Sequence, residues 1–332
     1  MSLPVAERGA GAPGGVTFPS TGTPLPVPQL RFAAFAWGVL VYNVAVILWG
    51  ALVRATGSGA GCGGHWPLCN GAVLPSVSQI ATVIELTHRV MSGIALVLVV
   101  TMFVWARRAF APRHAARRWA GWALVFIFTE ALLGASLVLL GHVARNESVG
   151  RVYSLATHLI NTFLLLASLA LAAHSATQPT ARKGRLFSWS AAGPLIALVL
   201  VAVAGVITAL GDTLFPSHSL AEGMREDFSS TASFLIRLRI IHPLLALFAG
   251  LVVVVVALPE FRAPHTARLR VLSGSLLVFF AAQFAVGALS ILLQAPLAIQ
   301  LLHLLLADCI WIALVLFTAE RRAHRATAVV IL

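Results

Sequence analysis

Four histidines lie inside long apolar stretches of this 332-residue sequence, namely His88, His158, His242 and His303. If these stretches are helices that cross a membrane, each histidine lies about five to eight residues from the same end of its helix. At a rise of about 1.5 Å per residue, all four then lie roughly 8–12 Å below one membrane surface. A single histidine in such a place is usually a packing residue that hydrogen-bonds a neighbouring helix. Four at matched depth indicate a binding site, because ionisable residues inside membrane spans are rare and usually functional.

Two imidazoles at equal depth on facing helices match the two axial ligands of a heme iron. A zinc ion would need three or four converging ligands at each site. The sequence therefore predicts that the four histidines are iron ligands. Arginines near the outer ends of the stretches suit the heme propionates, with which they form charge-assisted hydrogen bonds. Their alternative role is to reach lipid phosphates; these arginines are Arg54, Arg89, Arg237 and Arg239.

One histidine has a carboxylate beside it. Glu85 precedes His88 by three residues and so shares its helix face. The related segment of the second half contains Arg239 and His242 with no acidic residue. This asymmetry predicts one reactive heme site, where Glu85 accepts or relays protons, and one electron-transfer site. The alternative is that Glu85 only pairs with a nearby arginine.

A glycine-rich segment carries Cys62 and Cys69, with six residues between them. If the segment faces the oxidising side of a membrane, the two cysteines are expected to form a disulfide. The sequence does not separate a structural bridge from a redox-active one. His65 lies between them, and an exposed loop histidine is more often neither a ligand nor a base.

The elements that position these residues are membrane spans. The chain is 59% hydrophobic and 10% charged, with a mean hydropathy of +0.92. This composition excludes a water-soluble globular enzyme, a disordered chain and a coiled coil. Segments of about 20 apolar residues predict eight transmembrane helices. Their approximate bounds are 32–52, 82–105, 119–141, 153–174, 188–210, 234–258, 271–293 and 297–319.

The formal net charge of +12 would favour a nucleic-acid partner in a soluble protein. Here most of the 23 Lys and Arg residues lie before the first span, between spans 2 and 3, 4 and 5, and 6 and 7, and after span 8. The positive-inside rule then places both termini in the cytoplasm. We expect no nucleic-acid partner, and we expect the chemistry at the outer face, where the long loops of about 53–81 and 211–233 lie.

An internal repeat relates the first four spans to the last four. Glu130 and Gln283 are separated by 153 positions, and so are Gly134 and Gly287. The separation between His88 and His242 is 154 positions. An even number of spans in each copy makes the repeats parallel. The predicted fold is therefore an all-α polytopic membrane protein made of two pseudo-symmetric four-helix bundles.

The predicted domains follow from this repeat. They are a disordered cytoplasmic tail over 1–31, a first bundle over 32–174 with the outer loop 53–81, a cytoplasmic linker over 175–187, a second bundle over 188–320 and a basic tail over 321–332.

These residues resemble the heme A synthase family over about residues 32–320. The similar pieces are Gly50-x-x-Val53-Arg54-x-Thr56-Gly57-Ser58-Gly59, then Cys62, Trp66-Pro67 and Cys69, then Glu85-x-x-His88-Arg89, and then His158, His242 and His303. Three features depart from the family pattern. His65 replaces a common Asp, Pro243 replaces part of a second His-Arg pair, and the loop between spans 5 and 6 has no cysteine pair.

The resemblance implies a function and a division of roles. A heme b cofactor would lie in the C-terminal half, between His242 and His303. The substrate heme O would lie in the N-terminal half, between the catalytic residues His88 and His158, with Glu85 beside them. The enzyme would be an oxidoreductase of a bacterial cytoplasmic (inner) membrane that makes heme A for cytochrome oxidase. It would oxidise a ring methyl of heme O to a formyl group by successive hydroxylations. Implied partners are the lipid bilayer, the farnesyltransferase that makes heme O and an electron partner.

Two other functions remain open from the sequence. One is a diheme electron carrier that resembles cytochrome b and performs no chemistry on a heme substrate. The other is a heme transporter or chaperone, which the repeat would also allow. The asymmetry at Glu85 favours the enzyme, whereas two equivalent sites would favour the carrier.

Overall fold

The structure is a computed structural model that describes residues 27–73, 75, 79–178 and 189–331. Residues 1–26 of the predicted tail and 179–187 of the predicted linker lie outside the described residues. The described residues form ten α-helices and two short 3₁₀ helices, without a β-strand. The α-helices are α1 (Val27–Ala55), α2 (Ile80–Ala109), α3 (Ala115–Leu139), α4 (Val149–Ala176), α5 (Trp189–Leu214), α6 (Leu220–Asp227), α7 (Phe234–Arg237), α8 (Ile241–Arg262), α9 (Ala267–Leu292) and α10 (Leu297–Ile331).

Eight helical segments in the described part of the chain are long and apolar enough to cross a membrane. Seven come from single helices. The sixth span, Phe234–Arg262, is composite, because α7 continues through a 3₁₀ turn at Leu238–Ile240 into α8. Pro243 lies in the first turn of α8, where a missing backbone N–H costs no helical hydrogen bond. The prediction of an all-α protein with eight spans is confirmed.

The spans pack as two groups of four. In the first group α1 contacts α2 and α4, and α3 contacts α2 and α4. In the second group α8 contacts α5 and α9, and α10 contacts α9 and α5. The two groups meet where α4 packs against α5 and α10. At this interface Trp311 Nε1 donates a 2.7 Å hydrogen bond to the Phe163 carbonyl, and the two rings stack 4.6 Å apart.

Most helices extend a few residues beyond a predicted bound, and the two largest differences, at the first and the last helix, have physical reasons. Helix α1 begins at Val27, five residues earlier than predicted, so residues 27–31 are helical and do not belong to a disordered tail. Pro28 falls in the first turn of α1, which tolerates proline. At the other end of the chain, α10 continues beyond the apolar span as far as Ile331. The residues that follow the span are rich in alanine and arginine, which form helices well.

The predicted outer loop between spans 5 and 6 contains the short helix α6. Ser219 caps this helix by accepting a hydrogen bond from the Glu222 backbone N–H. The Glu222 carboxylate accepts another from the His218 backbone N–H at 2.9 Å. The Ser-x-x-Glu spacing typical of a helix start was therefore present in the sequence.

Candidate functional site

His242 and His303 face each other in the second bundle. The centroids of the two imidazole rings lie 6.2 Å apart. His242 Nδ1 donates to the Val201 carbonyl of α5 at 3.1 Å, which leaves Nε2 available as a ligand. Histidines that bind metals usually hold their second nitrogen in this way. Two nitrogen–metal bonds of about 2 Å each fit between rings at this separation, so the pair suits the axial ligation of one heme iron.

A polar side chain accompanies the second ligand of this pair. Gln283 of α9 places its Nε2 atom 3.1 Å from His303 Nε2, and His303 Nδ1 is buried without a hydrogen-bond partner in the described residues. A buried ring nitrogen without a partner is costly. His303 therefore has free capacity for a ligand or a proton.

The first bundle repeats this arrangement with a charged residue in place of Gln283. Glu130 Oε1 lies 3.5 Å from His158 Nδ1. The same carboxylate accepts hydrogen bonds from Asn161 Nδ2 at 2.5 Å and from Thr162 Oγ1. Glu130 therefore joins α3 to α4 beside a candidate ligand. The sequence showed Glu130 as the repeat partner of Gln283 and left open whether it relays protons or only pairs inside the bundle.

His88 completes the first pair. It lies within electrostatic range of His158, and the Nδ1 atoms of both rings are buried without hydrogen-bond partners among the described residues. Across the described residues, no three His, Cys, Asp or Glu side chains cluster as a metal site. The structure thus brings the predicted histidines together in pairs, which fits heme ligation.

Glu85 and Arg89 are bound to the cysteine-containing loop. Glu85 is 3% exposed, and its Oε2 atom accepts a 2.8 Å hydrogen bond from the Cys62 backbone N–H. Its Oε1 atom pairs with Arg89 Nη2 at 2.6 Å. Arg89 Nη1 in turn donates to the backbone carbonyls of His65 at 2.8 Å and Leu68 at 2.7 Å. The arginine pairing considered from the sequence is present, and both oxygens of the Glu85 carboxylate are used.

A disulfide closes this loop between Cys62 and Cys69, and both cysteines are buried. Thr82 Oγ1 donates to the Gly61 carbonyl at 2.7 Å. A Cβ atom at Gly61 would lie 2.4 Å from the Ala81 carbonyl, so only glycine allows the loop to approach the start of α2 so closely. The disulfide loop, residues 57–73, is therefore packed onto α2 one turn from His88.

We expect the Cys62–Cys69 bridge to be mainly structural, because it closes a loop that Glu85 and Arg89 already hold. Its removal should cost about 2–4 kcal/mol at most. The double variant Cys62→Ala/Cys69→Ala should therefore lower protein yield more than it lowers product formed per purified molecule. Thiol labelling of intact cells checks the bridge itself, since labelling of both cysteines without reductant would refute it. Normal yield with poor turnover would instead assign the pair a redox role.

The arginines that were predicted to bind heme propionates have different partners in the structure. Arg54 reaches across to the second bundle, where its guanidinium donates to the Ala209 carbonyl at 2.8 Å, to Thr213 Oγ1 at 2.8 Å and to Gln300 Oε1 at 3.2 Å. The sequence did not indicate this bridge between bundles, because it joins residues more than 150 positions apart.

In the second bundle, Arg239 pairs with Asp212 at 3.1 Å and donates to the Phe215 carbonyl at 2.7 Å. Asp227 lies 3.9 Å from Arg239, and partial burial raises the pKa of this Asp227 carboxyl above its usual range. Arg237 is exposed. Arg239, three residues before His242 in the sequence, thus lies in a cluster with two carboxylates and is 11% exposed.

Comparison with known proteins agrees with this geometry. The model of the cytochrome oxidase assembly protein family, COX15-CtaA, matches residues 33–315. A Thermus thermophilus protein named protoheme IX farnesyltransferase is 45% identical over 305 residues, which are 89% of this chain and 50% of the relative. The chain thus spans about half the length of that relative.

Proteins named heme A synthase match over shorter segments. The one from Alkalihalophilus pseudofirmus is 40% identical over 104 residues, which are 31% of this chain and 34% of the relative. The one from Halalkalibacterium halodurans is 42% identical over 98 residues, which are 30% and 33% of the two chains. Since the family model covers most of a chain whose histidines pair as described, the protein belongs to the heme A synthase family of cytochrome oxidase assembly proteins.

Proposed function

We propose that this protein is a heme A synthase that oxidises a ring methyl of heme O to a formyl group. The oxidation proceeds by successive hydroxylations through an alcohol, followed by loss of water. The observation that supports this proposal most is the chemical difference between the two histidine pairs that the repeat relates. Carboxylates accompany the first histidine pair at Glu85 and Glu130, whereas the repeat places Arg239 and Gln283 at these positions in the second half.

The second bundle is proposed as the cofactor half. His242 and His303 would hold heme b, with the Val201 carbonyl fixing the orientation of His242. When bound, heme iron supplies the redox chemistry that an unactivated methyl group requires. Arg239 is the arginine closest in sequence to His242 that can reach a propionate, in exchange for its present contact with Asp212.

The first bundle is proposed as the substrate half, in which His88 and His158 hold heme O. Glu130 holds the Nδ1 side of His158 and supplies a carboxylate that can keep or release a proton near this ring. Glu85 and Arg89 hold the disulfide loop over the outer end of α2. This loop restricts access of water from that side, which favours a reaction in which charge develops near the ring.

A formyl heme formed only in the presence of this protein is the direct test. Membranes from cells that express the protein together with a heme O source are extracted with acid acetone, and the hemes are separated by chromatography. We expect heme A in this extract and only heme O in the matched extract of cells that carry an empty vector. Unchanged heme O together with a normal heme b spectrum of the purified protein would favour the diheme electron carrier. Loss of heme O without heme A would favour a transporter.

We further propose a physical partnership with the farnesyltransferase that makes heme O. The Thermus relative supports it, because this chain matches about half of a protein that is named for the farnesyltransferase activity. The remaining half of that relative has room for a second enzyme in the same chain. An electron partner is also required. With water as the source of oxygen, each hydroxylation releases two electrons and two protons from the methyl carbon, and the electrons pass to an acceptor outside this chain.

The proposed location is a bacterial cytoplasmic membrane, with both termini in the cytoplasm and both histidine pairs toward the outer face. The eight spans and the basic loops between them support this orientation. A disulfide in the first outer loop fits the oxidising side of such a membrane.

A further inference from the structure

Each of the four candidate ligands packs against a glycine on the preceding membrane span. The pairs are Gly50 with His88, Gly134 with His158, Gly205 with His242, and Gly287 with His303. The glycines repeat with the bundles, since Gly205 follows Gly50 by 155 positions and Gly287 follows Gly134 by 153. The glycines therefore occur beside the rings in both halves, whereas Glu85 and Glu130 have no acidic counterpart in the second half.

Three of these contacts are too close for a Cβ atom unless the histidine ring shifts. A Cβ atom at Gly205 would lie 2.9 Å from His242 Cε1. At Gly50 it would lie 3.0 Å from His88 Cε1, and at Gly287 it would lie 3.1 Å from His303 Cε1. Carbon atoms in favourable contact lie about 3.5–4.0 Å apart. The ring would therefore have to move away from the neighbouring helix if alanine replaced any of these glycines.

The fourth contact is ordinary. A Cβ atom at Gly134 would lie 3.9 Å from His158 Cε1, which is within the favourable range. Alanine therefore fits at Gly134 without displacing the ring. Gly134 is therefore a matched control for Gly287. It occupies the same position in the repeat, but the ring beside it leaves space for a Cβ atom.

Glycine usually occurs in a membrane span because it lets two helix backbones pack closely. At these glycines the nearest neighbours are histidine rings and not backbone atoms. The three atoms nearest to a Cβ at Gly50 all belong to the His88 imidazole, and the three nearest at Gly205 all belong to the His242 imidazole. Local helix propensity gives no reason either, since alanine forms helices better than glycine. The space at these glycines is occupied by the ring itself.

We propose that Gly50, Gly205 and Gly287 are positioning residues that seat the imidazoles of three iron ligands against the neighbouring helix. His242 illustrates this positioning. Its ring packs across Gly205 and donates a hydrogen bond to the Val201 carbonyl, one helical turn earlier in α5. That hydrogen bond occupies Nδ1 and leaves Nε2 available as a ligand, and outer partners of this kind hold metal ligands in orientation. The proposal rests on the proposed function, because it takes the histidines as heme ligands.

The test is the heme content of purified alanine variants. Gly205→Ala and Gly287→Ala should lower the ratio of heme b to protein by about tenfold, the effect typical of disturbing an outer partner of a metal ligand. The heme that remains should show shifted g-values in the electron paramagnetic resonance spectrum of the ferric protein. Gly193→Ala, on the same helix as Gly205, is the control, since nothing lies within 4 Å of a Cβ there.

The first bundle is tested by titrating the purified protein with hemin and recording its absorption spectrum. Gly50→Ala should weaken the low-spin signal of the added hemin about tenfold, whereas Gly134→Ala and Gly38→Ala should bind hemin as the unchanged protein does. A Cβ at Gly38 has no neighbour within 4 Å. Equal loss in Gly50→Ala and Gly134→Ala would overturn the proposal, because the two positions differ in the space beside the ring.

Two further variants separate the failure of this inference from the failure of the proposed function. If His242→Ala keeps its heme, the proposed heme site is wrong. If His242→Ala loses its heme and Gly205→Ala keeps it with an unchanged spectrum, only the positioning role is wrong. Should Gly205→Ala give no monodisperse protein, the double variant Gly205→Ala/His242→Ala decides. Recovered yield shows that the damage acts through the ring, and yield that stays low overturns the proposal.

Discussion

Replacement of His242 or His303 by alanine is expected to remove the low-spin heme from the purified protein. Each variant deletes one of two facing ligands whose ring centroids lie 6.2 Å apart. Even an outer partner of a metal ligand contributes about 10–100-fold to affinity, so the loss of a ligand should lower the heme content by at least this factor. The measurement is the ratio of the Soret absorbance to the protein absorbance after purification in detergent.

His218→Ala is the matched control for this prediction. His218 is an exposed histidine in the loop before α6, on the same side of the bundles. We expect this variant to keep its full heme content. A low-spin spectrum that survives both His242→Ala and His303→Ala without change would show that the cofactor lies elsewhere in the protein.

The second large effect is expected at Glu85. Glu85→Ala leaves the Arg89 guanidinium and the Cys62 backbone N–H without their buried acceptor, and breaking a buried ion pair costs about 3–5 kcal/mol. We expect the disulfide loop to detach from α2 and heme A formation to fall at least about tenfold, since misplacement near a reacting centre costs about a hundredfold in rate. Heme b in the second bundle should be retained. The measurement is heme A per molecule together with the heme b spectrum.

Glu85→Gln separates the structural part of this effect from the chemical part. Glutamine keeps an acceptor for the Cys62 N–H and removes the charge. If Glu85 acts through its charge as a proton acceptor, this variant should reach the protein yield of the unchanged protein yet make little heme A. If Glu85 acts only by holding the loop, the glutamine variant should make more heme A than the alanine variant. Glu147→Gln, at an exposed glutamate of the next outer loop, should match the unchanged protein, and full product from Glu85→Ala would contradict both roles.

Hydropathy predicted the membrane spans because lipid imposes a length and a composition on every crossing segment. The repeat predicted the grouping of the spans, since a histidine, a Glu or Gln and a glycine recur at nearly constant separation in the two halves. Helix α6 was not predicted, because it has only eight residues and a polar composition. Hydropathy therefore does not distinguish it from a loop. Its capping residues were visible, but a single Ser-x-x-Glu is common.

The sequence predicted four histidines as heme ligands, which stays a prediction, and it did not predict the residues that surround them in the structure. The histidines stand out because they are charged or polar residues in apolar helices. Arg54, in contrast, was expected to bind a propionate, and its three acceptors lie on α5 and α10. Such a contact depends on how two bundles meet, and no local pattern encodes it. The glycines at the rings were visible as repeat anchors, but only the packing shows that each faces an imidazole.

The manner in which Arg89 holds the disulfide loop bears on how this loop can evolve. Arg89 contacts the loop at the carbonyl oxygens of His65 and Leu68 and not at their side chains. Any amino acid presents the same carbonyl, so substitutions at these two positions leave the attachment intact provided that the path of the backbone is kept. Substitutions are therefore tolerated at these two positions, whereas Gly61, Glu85 and Arg89 remain constrained by shape and charge.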